Sequence, residues 1–91
     1  MDSKIEDSLK LWKGYSYIGL WTNAYLTLED KCLFISHKKG GVNWFQIHLK
    51  IVECKDAKKR KFALQIGFKT LHFRADSRQT KQKWINAMFV K

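Results

Sequence analysis

Proline is missing from this sequence, cysteine occurs twice, and no apolar run approaches the roughly 18 residues that a membrane span needs. Without proline, and without a repeat or a low-complexity tract, nothing marks a linker between domains. Cys32 and Cys54 have no CxxC neighbour and His37, His48 and His72 are scattered, so neither a zinc knuckle nor a disulfide scaffold is encoded. Two free thiols in a reducing compartment are the expectation, with a Cys32 to Cys54 bridge left open by counting. The opening residues Met1 to Asp7 lack the apolar stretch of a signal peptide, so any membrane contact is expected to be peripheral. Catalytic constellations are missing too. No Ser, Cys or His sits beside an acid within a motif, there is no GxGxxG or Walker-type loop, and no pair of carboxylates is flanked by apolar residues. An enzyme is not expected, nor a metal or cofactor.

What is present is compact and basic. At 91 residues the chain has room for one hydrophobic core, and 45% apolar with 14% aromatic residues supplies the surface to build it. Eighteen Lys and Arg against eight Asp and Glu leave a formal charge of +10. Such an excess repels itself, and it points to an anionic partner: nucleic acid, an anionic membrane or an acidic protein. The charge is unevenly spread. Residues 1–30 carry three basic and five acidic side chains, residues 31–61 nine and two, and residues 62–91 six and one. Residues 1–8, polar and acidic, read as a flexible N-terminal arm, and residues 9–91 as the domain.

From Leu9 onward apolar residues recur at period two, the signature of half-buried strands. A first strand is expected over residues 9–17. Ala24, Leu26 and Leu28 alternate with Tyr25 and Thr27, Glu29-Asp30-Lys31 turns the chain, and Leu33 and Ile35 alternate with Phe34 and Ser36. Lys38-Lys39-Gly40-Gly41 makes a second turn, after which Phe45, Ile47 and Leu49 face one side and Trp44, Gln46 and His48 the other. Residues 51–54 read as a short strand and residues 56–60 as a loop. Phe62, Leu64 and Ile66, a turn at Gly67-Phe68-Lys69, and Leu71, Phe73 and Ala75 complete seven strands. The period then changes. Asp76 as N-cap with Gln79 three residues later opens a helix whose face is Thr80, Trp84, Ala87 and Met88 with Ile85 alongside, and Arg78, Lys81, Gln82 and Asn86 lie opposite. The expected fold is mainly β: a seven-stranded antiparallel barrel or orthogonal sandwich capped by one C-terminal α-helix.

Three stretches, in this order and spacing, resemble a pleckstrin homology domain. Trp21-Thr22-Asn23-Ala24-Tyr25-Leu26-Thr27-Leu28 with Leu33-Phe34-Ile35-Ser36 is similar to that family's second and third strands, Phe73 to Ser77 to its last strand and helix cap, and Lys83-Trp84-Ile85-Asn86-Ala87-Met88 to its closing helix. Trp12, Tyr15, Gly19 and Trp21 further resemble the first strand and loop of the oxysterol-binding and lipid-transfer members, with one residue inserted before Gly19. Two family cations are replaced: the lysine before the first tryptophan falls on Leu11, and the arginine of the second strand on Ala24. The resemblance implies a membrane-targeting module of a larger protein, cytoplasmic and peripheral on an internal membrane, that binds anionic phospholipid such as phosphoinositide.

On that implication Lys10 and Lys13, flanking the first loop, and Lys38 and Lys39, in the turn after the third strand, form a cation cluster that replaces the missing arginine and meets the lipid headgroup. Tyr15, Tyr17, Ile18 and Leu20 make an aromatic and aliphatic loop suited to insertion in the headgroup zone. Lys58-Lys59-Arg60-Lys61 reads as a solvated basic loop, with a second anion contact or a nuclear-import-like patch as its alternatives. The rival function is a protein-interaction domain of the same fold that binds a peptide or small GTPase through a sheet edge or the Trp44 face. Nucleic acid ranks last, because Tyr25, Phe34 and Trp44 alone would have to form the stacking platform.

Overall fold

The computed structural model describes residues 4–14 and 17–89. Seven strands are followed by one helix: β1 (Lys4–Gly14), β2 (Gly19–Glu29), β3 (Cys32–Ser36), β4 (Phe45–His48), β5 (Glu53–Asp56), β6 (Lys61–Ile66), β7 (Lys69–Arg74) and α1 (Arg78–Phe89). They form one antiparallel sheet in the order β4-β3-β2-β1-β7-β6-β5. Alternate residues of each strand turn to the same side, and the rows Leu9/Leu11, Ala24/Leu26/Leu28, Leu33/Ile35, Phe62/Leu64 and Leu71/Phe73 are all buried. One face of the sheet is therefore the core, and the sheet must curl around it. The curl is visible where the Lys69 ammonium of β7 lies 5.9 Å from the centre of the Phe45 ring on β4, two strands that stand four places apart in the sheet order.

The turns follow local backbone chemistry. Asp30 and Lys31 both take positive φ, 53° and 62°, in the two-residue loop that joins Glu29 to its partner Cys32. This is the mirror-image turn whose twist matches that of the flanking strands. The segment after β4 departs from the expected strand. β4 stops at His48, whose imidazole Nδ1 accepts the Lys50 N–H at 3.1 Å, and Leu49–Ile51 form a single 3₁₀ turn. Leu49 stays buried, while β5 begins two residues later than the alternation suggested.

β1 also differs, at both ends. It ends at Gly14 rather than at residue 17, and it begins at Lys4, paired with Glu29, so residues 4–8 belong to the sheet and not to a loose arm. The reason lies in the helix. Asp7 accepts the Trp84 indole N–H on Oδ2 at 2.9 Å, and the Lys83 ammonium lies 2.6 Å from the same oxygen. Ile5 packs on the core from the same strand face. An acidic side chain reads as solvated, yet this one is the acceptor that lets a fully buried tryptophan keep its hydrogen bond.

The helix starts one residue later than its expected cap: Ser77 Oγ, not Asp76, accepts the Thr80 N–H at 3.1 Å. Trp84, Ile85 and Met88 are buried, as the periodicity predicts, but so is Lys81, which the same periodicity put on the solvent side. Lys81 lies one turn before Trp84 and Ile85, on the docked face. Its ammonium donates to the Ala57 carbonyl at 2.6 Å and the Lys59 carbonyl at 2.8 Å, and pairs with Asp56 Oδ1 at 2.7 Å. A buried cation is tolerated when its protons are all taken up, and here they close the loop between β5 and β6.

Trp84→Ala is expected to lower unfolding stability by about 3–5 kcal/mol through the cavity it leaves, and Lys81→Ala by about 2 kcal/mol through loss of charged hydrogen bonds to the loop. Urea denaturation followed by circular dichroism measures both. The Lys81 ammonium beside Asp56 holds that carboxyl below the usual aspartate range. A depressed carboxyl stabilises the fold above the ordinary aspartate pKa and stops doing so as pH falls through its own lower value. Asp56→Asn should therefore be less stable than the parent at neutral pH and converge with it in strong acid. Parallel curves across the acid limb would disprove the linkage.

Candidate functional site

Three connections meet at one end of the barrel, and the pairing register brings them there. β1 rises to Gly14 and β2 departs from Gly19; β3 ends and β4 begins where Ile35 pairs with Phe45; and β7 begins at the end toward which β1 rises, because Leu11 pairs with Phe73 in antiparallel sense. The β1–β2 apex, the β3–β4 loop and the β6–β7 turn at Gly67-Phe68 thus share one rim. The helix is at the other end, held by Asp7 low on β1 and by the end of β5. One mouth is stoppered and the opposite one is open.

The neck of the β1–β2 hairpin is closed by glycine. Gly14 (φ 138°) and Gly19 face each other across the neck of the hairpin. A Cβ on Gly14 would collide with the Ile18 carbonyl oxygen, and one on Gly19 with the Lys13 carbonyl oxygen, so only glycine lets the two strands close at this point. Below the neck Trp12 and Trp21 meet edge to face, with ring centres 5.3 Å apart. Above it, Tyr17 is 97% exposed and Ile18 78%, and Leu20, paired with Lys13 just below it, is 61% exposed. Val42 of the β3–β4 loop is 88% exposed, and Phe68 at the β6–β7 turn is fully so. Five large apolar side chains on three separate connections and the strand ends that adjoin them therefore reach solvent at the same rim.

Cations stand among them. Lys13 continues the inward row of Leu9 and Leu11 beyond the core, which puts it at the lip of the mouth, paired with Leu20. Lys69 continues the inward row of Leu71 and Phe73 and leans over Phe45. Beside Lys13, the Thr22 hydroxyl of β2 donates to the Leu11 carbonyl at 3.2 Å. The β3–β4 loop is closed on itself: the Lys38 carbonyl accepts the Ser36 hydroxyl at 2.8 Å and the Gly41 N–H at 3.0 Å, and the Trp44 N–H donates to the Ile35 carbonyl at 2.9 Å. Lys38 and Lys39 are exposed on this closed turn, with Lys39 also bordering a groove of about 440 Å³ on the outer face, floored by Tyr25, Thr27 and Phe34.

Of the residues singled out in the sequence, Lys13, Lys38, Lys39, Tyr17, Ile18 and Leu20 lie at the rim, and Tyr15 falls outside the described residues. Lys10 does not share this site. It is in mid-strand, directed to the outer face, and its ammonium donates to the Asn23 side-chain oxygen. Lys58 to Lys61 is at the far end of β6, where the helix is seated. Lys69, Phe68 and Val42 were not legible as site residues, because a lysine and a phenylalanine beside a glycine read only as a turn. Their signal is the hairpin register, which needs the strand order. Trp44 is partly covered by contacts of its own, its ring 5.8 Å from His37 and 6.0 Å from Phe45. No group of three or more metal-ligating side chains occurs among the described residues, and no helix is long and apolar enough to cross a membrane.

No family model matches this sequence, and no curated protein matches it either. Solved structures do match in three dimensions. The human TBC1 domain family member 2 PH domain superposes with a TM-score of 0.79 at 14% identity, over 93% of this chain and 76% of that one. The C-terminal PH domain of pleckstrin, in complex with D-myo-Ins(1,2,3,5,6)P5, gives a TM-score of 0.75 at 17% identity, over 92% and 89%. The PH domain of human oxysterol-binding protein-related protein 11 gives 0.74 at 13% identity, over 94% and 77%. With its antiparallel register, curled seven-stranded sheet and one stoppered end, this chain has the pleckstrin homology fold.

Proposed function

We propose that this chain is a non-enzymatic membrane-docking module, which binds anionic phospholipid, phosphoinositide in particular, through the open rim of the barrel. The observation that carries the reading is the coincidence of five exposed apolar side chains and four lysines on the three connections of one rim and the strand ends that adjoin them. Lys13, Lys38, Lys39 and Lys69 meet lipid phosphates, each adding about 1 kcal/mol near an anionic leaflet. Tyr17, Ile18, Leu20, Val42 and Phe68 enter the interface beside them, Tyr17 at headgroup depth. Ala24 and Leu11, the positions at which the family resemblance leads one to expect cations, are buried in the core and take no part. The headgroup is thus held by the lip rather than by the barrel floor. The fold's capacity for such ligands is seen in the pleckstrin C-terminal domain, whose complexes hold inositol pentakisphosphates. In this reading the chain recruits a larger cytoplasmic protein to an internal membrane.

Co-sedimentation with vesicles tests this. Binding should require anionic lipid, be strongest with phosphoinositide and weaken between low and physiological salt. Lys13→Ala combined with Lys69→Ala should reduce affinity roughly 30-fold, from about 1 kcal/mol per lysine, and Phe68→Ser should reduce it on anionic vesicles without altering the thermal unfolding midpoint. Equal sedimentation with neutral vesicles, or indifference to the double lysine variant, would overturn the proposal.

A further inference from the structure

Away from the rim, the outer face of the sheet carries cations that the register sets side by side. Lys10 on β1 stands opposite Arg74 on β7, and Arg74 stands opposite Lys61 on β6. Each alternates with buried neighbours, Leu9 and Leu11, Phe73 and Ala75, and Phe62, so all three side chains leave the sheet on its outer side. Like charges directly opposite across strands repel one another. They are nonetheless held in place: Lys10 donates to Asn23, the Arg74 guanidinium lies 4.8 Å from the centre of the Trp21 ring, and the Lys61 ammonium 5.8 Å from it. Arg60 joins them from the β5–β6 loop, fixed by a 3.0 Å hydrogen bond from its guanidinium to the Asp76 carbonyl. Among the described residues Asp76 brings the only carboxylate lining this hollow of about 300 Å³. Next to it is a second hollow, of about 350 Å³, walled by Trp12, Trp21, Ala57 and Phe62, with Lys61 on its edge.

We propose that this face is a second docking site and takes an acidic segment of a partner protein, with carboxylates on the Lys10, Arg74 and Lys61 row and an apolar side chain in the hollow walled by the Trp12 and Trp21 pair, Ala57 and Phe62. Three features select that occupant. The row crosses three strands at a spacing of about 4.8 Å and so spans about 10 Å, long enough for two carboxylates on alternate residues of an extended chain, about 6.8 Å apart, each to reach a cation. The adjoining hollow is aromatic, and a bare phosphate headgroup has nothing to place in it. Tryptophan and arginine are also the side chains that dominate binding energy at protein interfaces, as large rigid surfaces and fork-shaped donors that meet carboxylates in pairs. The row is also about 14 Å down β1 from the apex glycine and faces sideways from the mouth, so a bilayer touching the rim leaves it free for a soluble partner. Lys81 acts here as a positioning residue. By holding the Ala57 and Lys59 carbonyls it fixes the loop from which Arg60 and Lys61 are presented.

The test is a titration of the full chain, followed by amide and indole resonances, with a synthetic peptide of alternating Glu and Leu; inositol hexakisphosphate and a single-stranded oligonucleotide serve as comparison probes. The peptide should shift Lys10, Asn23, Lys61, Arg74 and the Trp12 and Trp21 indoles. Lys10→Gln with Lys61→Gln should weaken the peptide about tenfold while vesicle binding stays within about twofold, and Lys13→Ala with Lys69→Ala should do the reverse. Arg74→Lys, which keeps the charge and loses the guanidinium's fork of donors above Trp21, should weaken the peptide too. Peptide shifts confined to the rim, no shifts at all, or shifts at this face from the phosphate or the oligonucleotide but not from the peptide would each overturn the proposal. Because the two variant pairs act on different faces, failure of this site and failure of the membrane reading give different results.

Discussion

Trp84 fills one end of a curled seven-stranded sheet, and its indole N–H is held by the Asp7 carboxylate from the first strand. A tryptophan brings more apolar surface than any other side chain and also one donor that must not be buried unpaired. Asp7 meets that need, and among the described residues no buried side-chain nitrogen or oxygen lacks a partner. Once this end is closed, the core is sealed on one side only. The connections at the opposite end have no helix above them and are free to carry side chains that the core would otherwise claim.

The charge of the molecule is distributed with the same logic. One cation, Lys81, is spent inside, locking a loop through two carbonyls and Asp56. Others stand in two separate groups, one at the rim and one across the outer face of β1, β7 and β6. Exposed like charges are costly to the fold, at tenths of a kcal/mol per neighbouring pair. They persist where contacts such as Arg74 on Trp21 hold them and where an anion can relieve them. A small barrel has little interior with which to make a deep pocket. What such a scaffold offers a partner is its lips and its outer wall.

Much of the fold was legible because sheet and helix impose simple periods. Ala24 to Leu28 alternate as half-buried strands must, Phe62 and Leu64 are buried although Ala63 between them is buried too, and Trp84, Ile85 and Met88 recur at helical spacing. The misreadings have a common cause, which is polarity taken as exposure. Asp7 and Lys81 are charged, and composition alone sends them to solvent, but each satisfies a buried group contributed by a distant segment: Trp84 is 77 positions from Asp7, and Ala57 is 24 from Lys81. His48 shows the local version, since its imidazole captures a backbone N–H and ends a strand whose apolar pattern ran on. Lys10 and Lys13 look equivalent in sequence, but an odd separation along a strand sends them to opposite faces.

Length, apolar periodicity and turn chemistry by themselves determined that this chain forms a mainly β barrel with one closing helix, and that its charge is strongly positive, because these properties are local or additive. Tertiary structure alone decided which cations stand together. Lys69 joins Lys13 at the mouth, and Lys10, Arg74 and Lys61 line up on the outer wall, only when strands far apart in sequence pair in one register. The physical reason is that a sheet makes neighbours of residues by hydrogen-bond pairing across strands, a relation that no window of sequence contains.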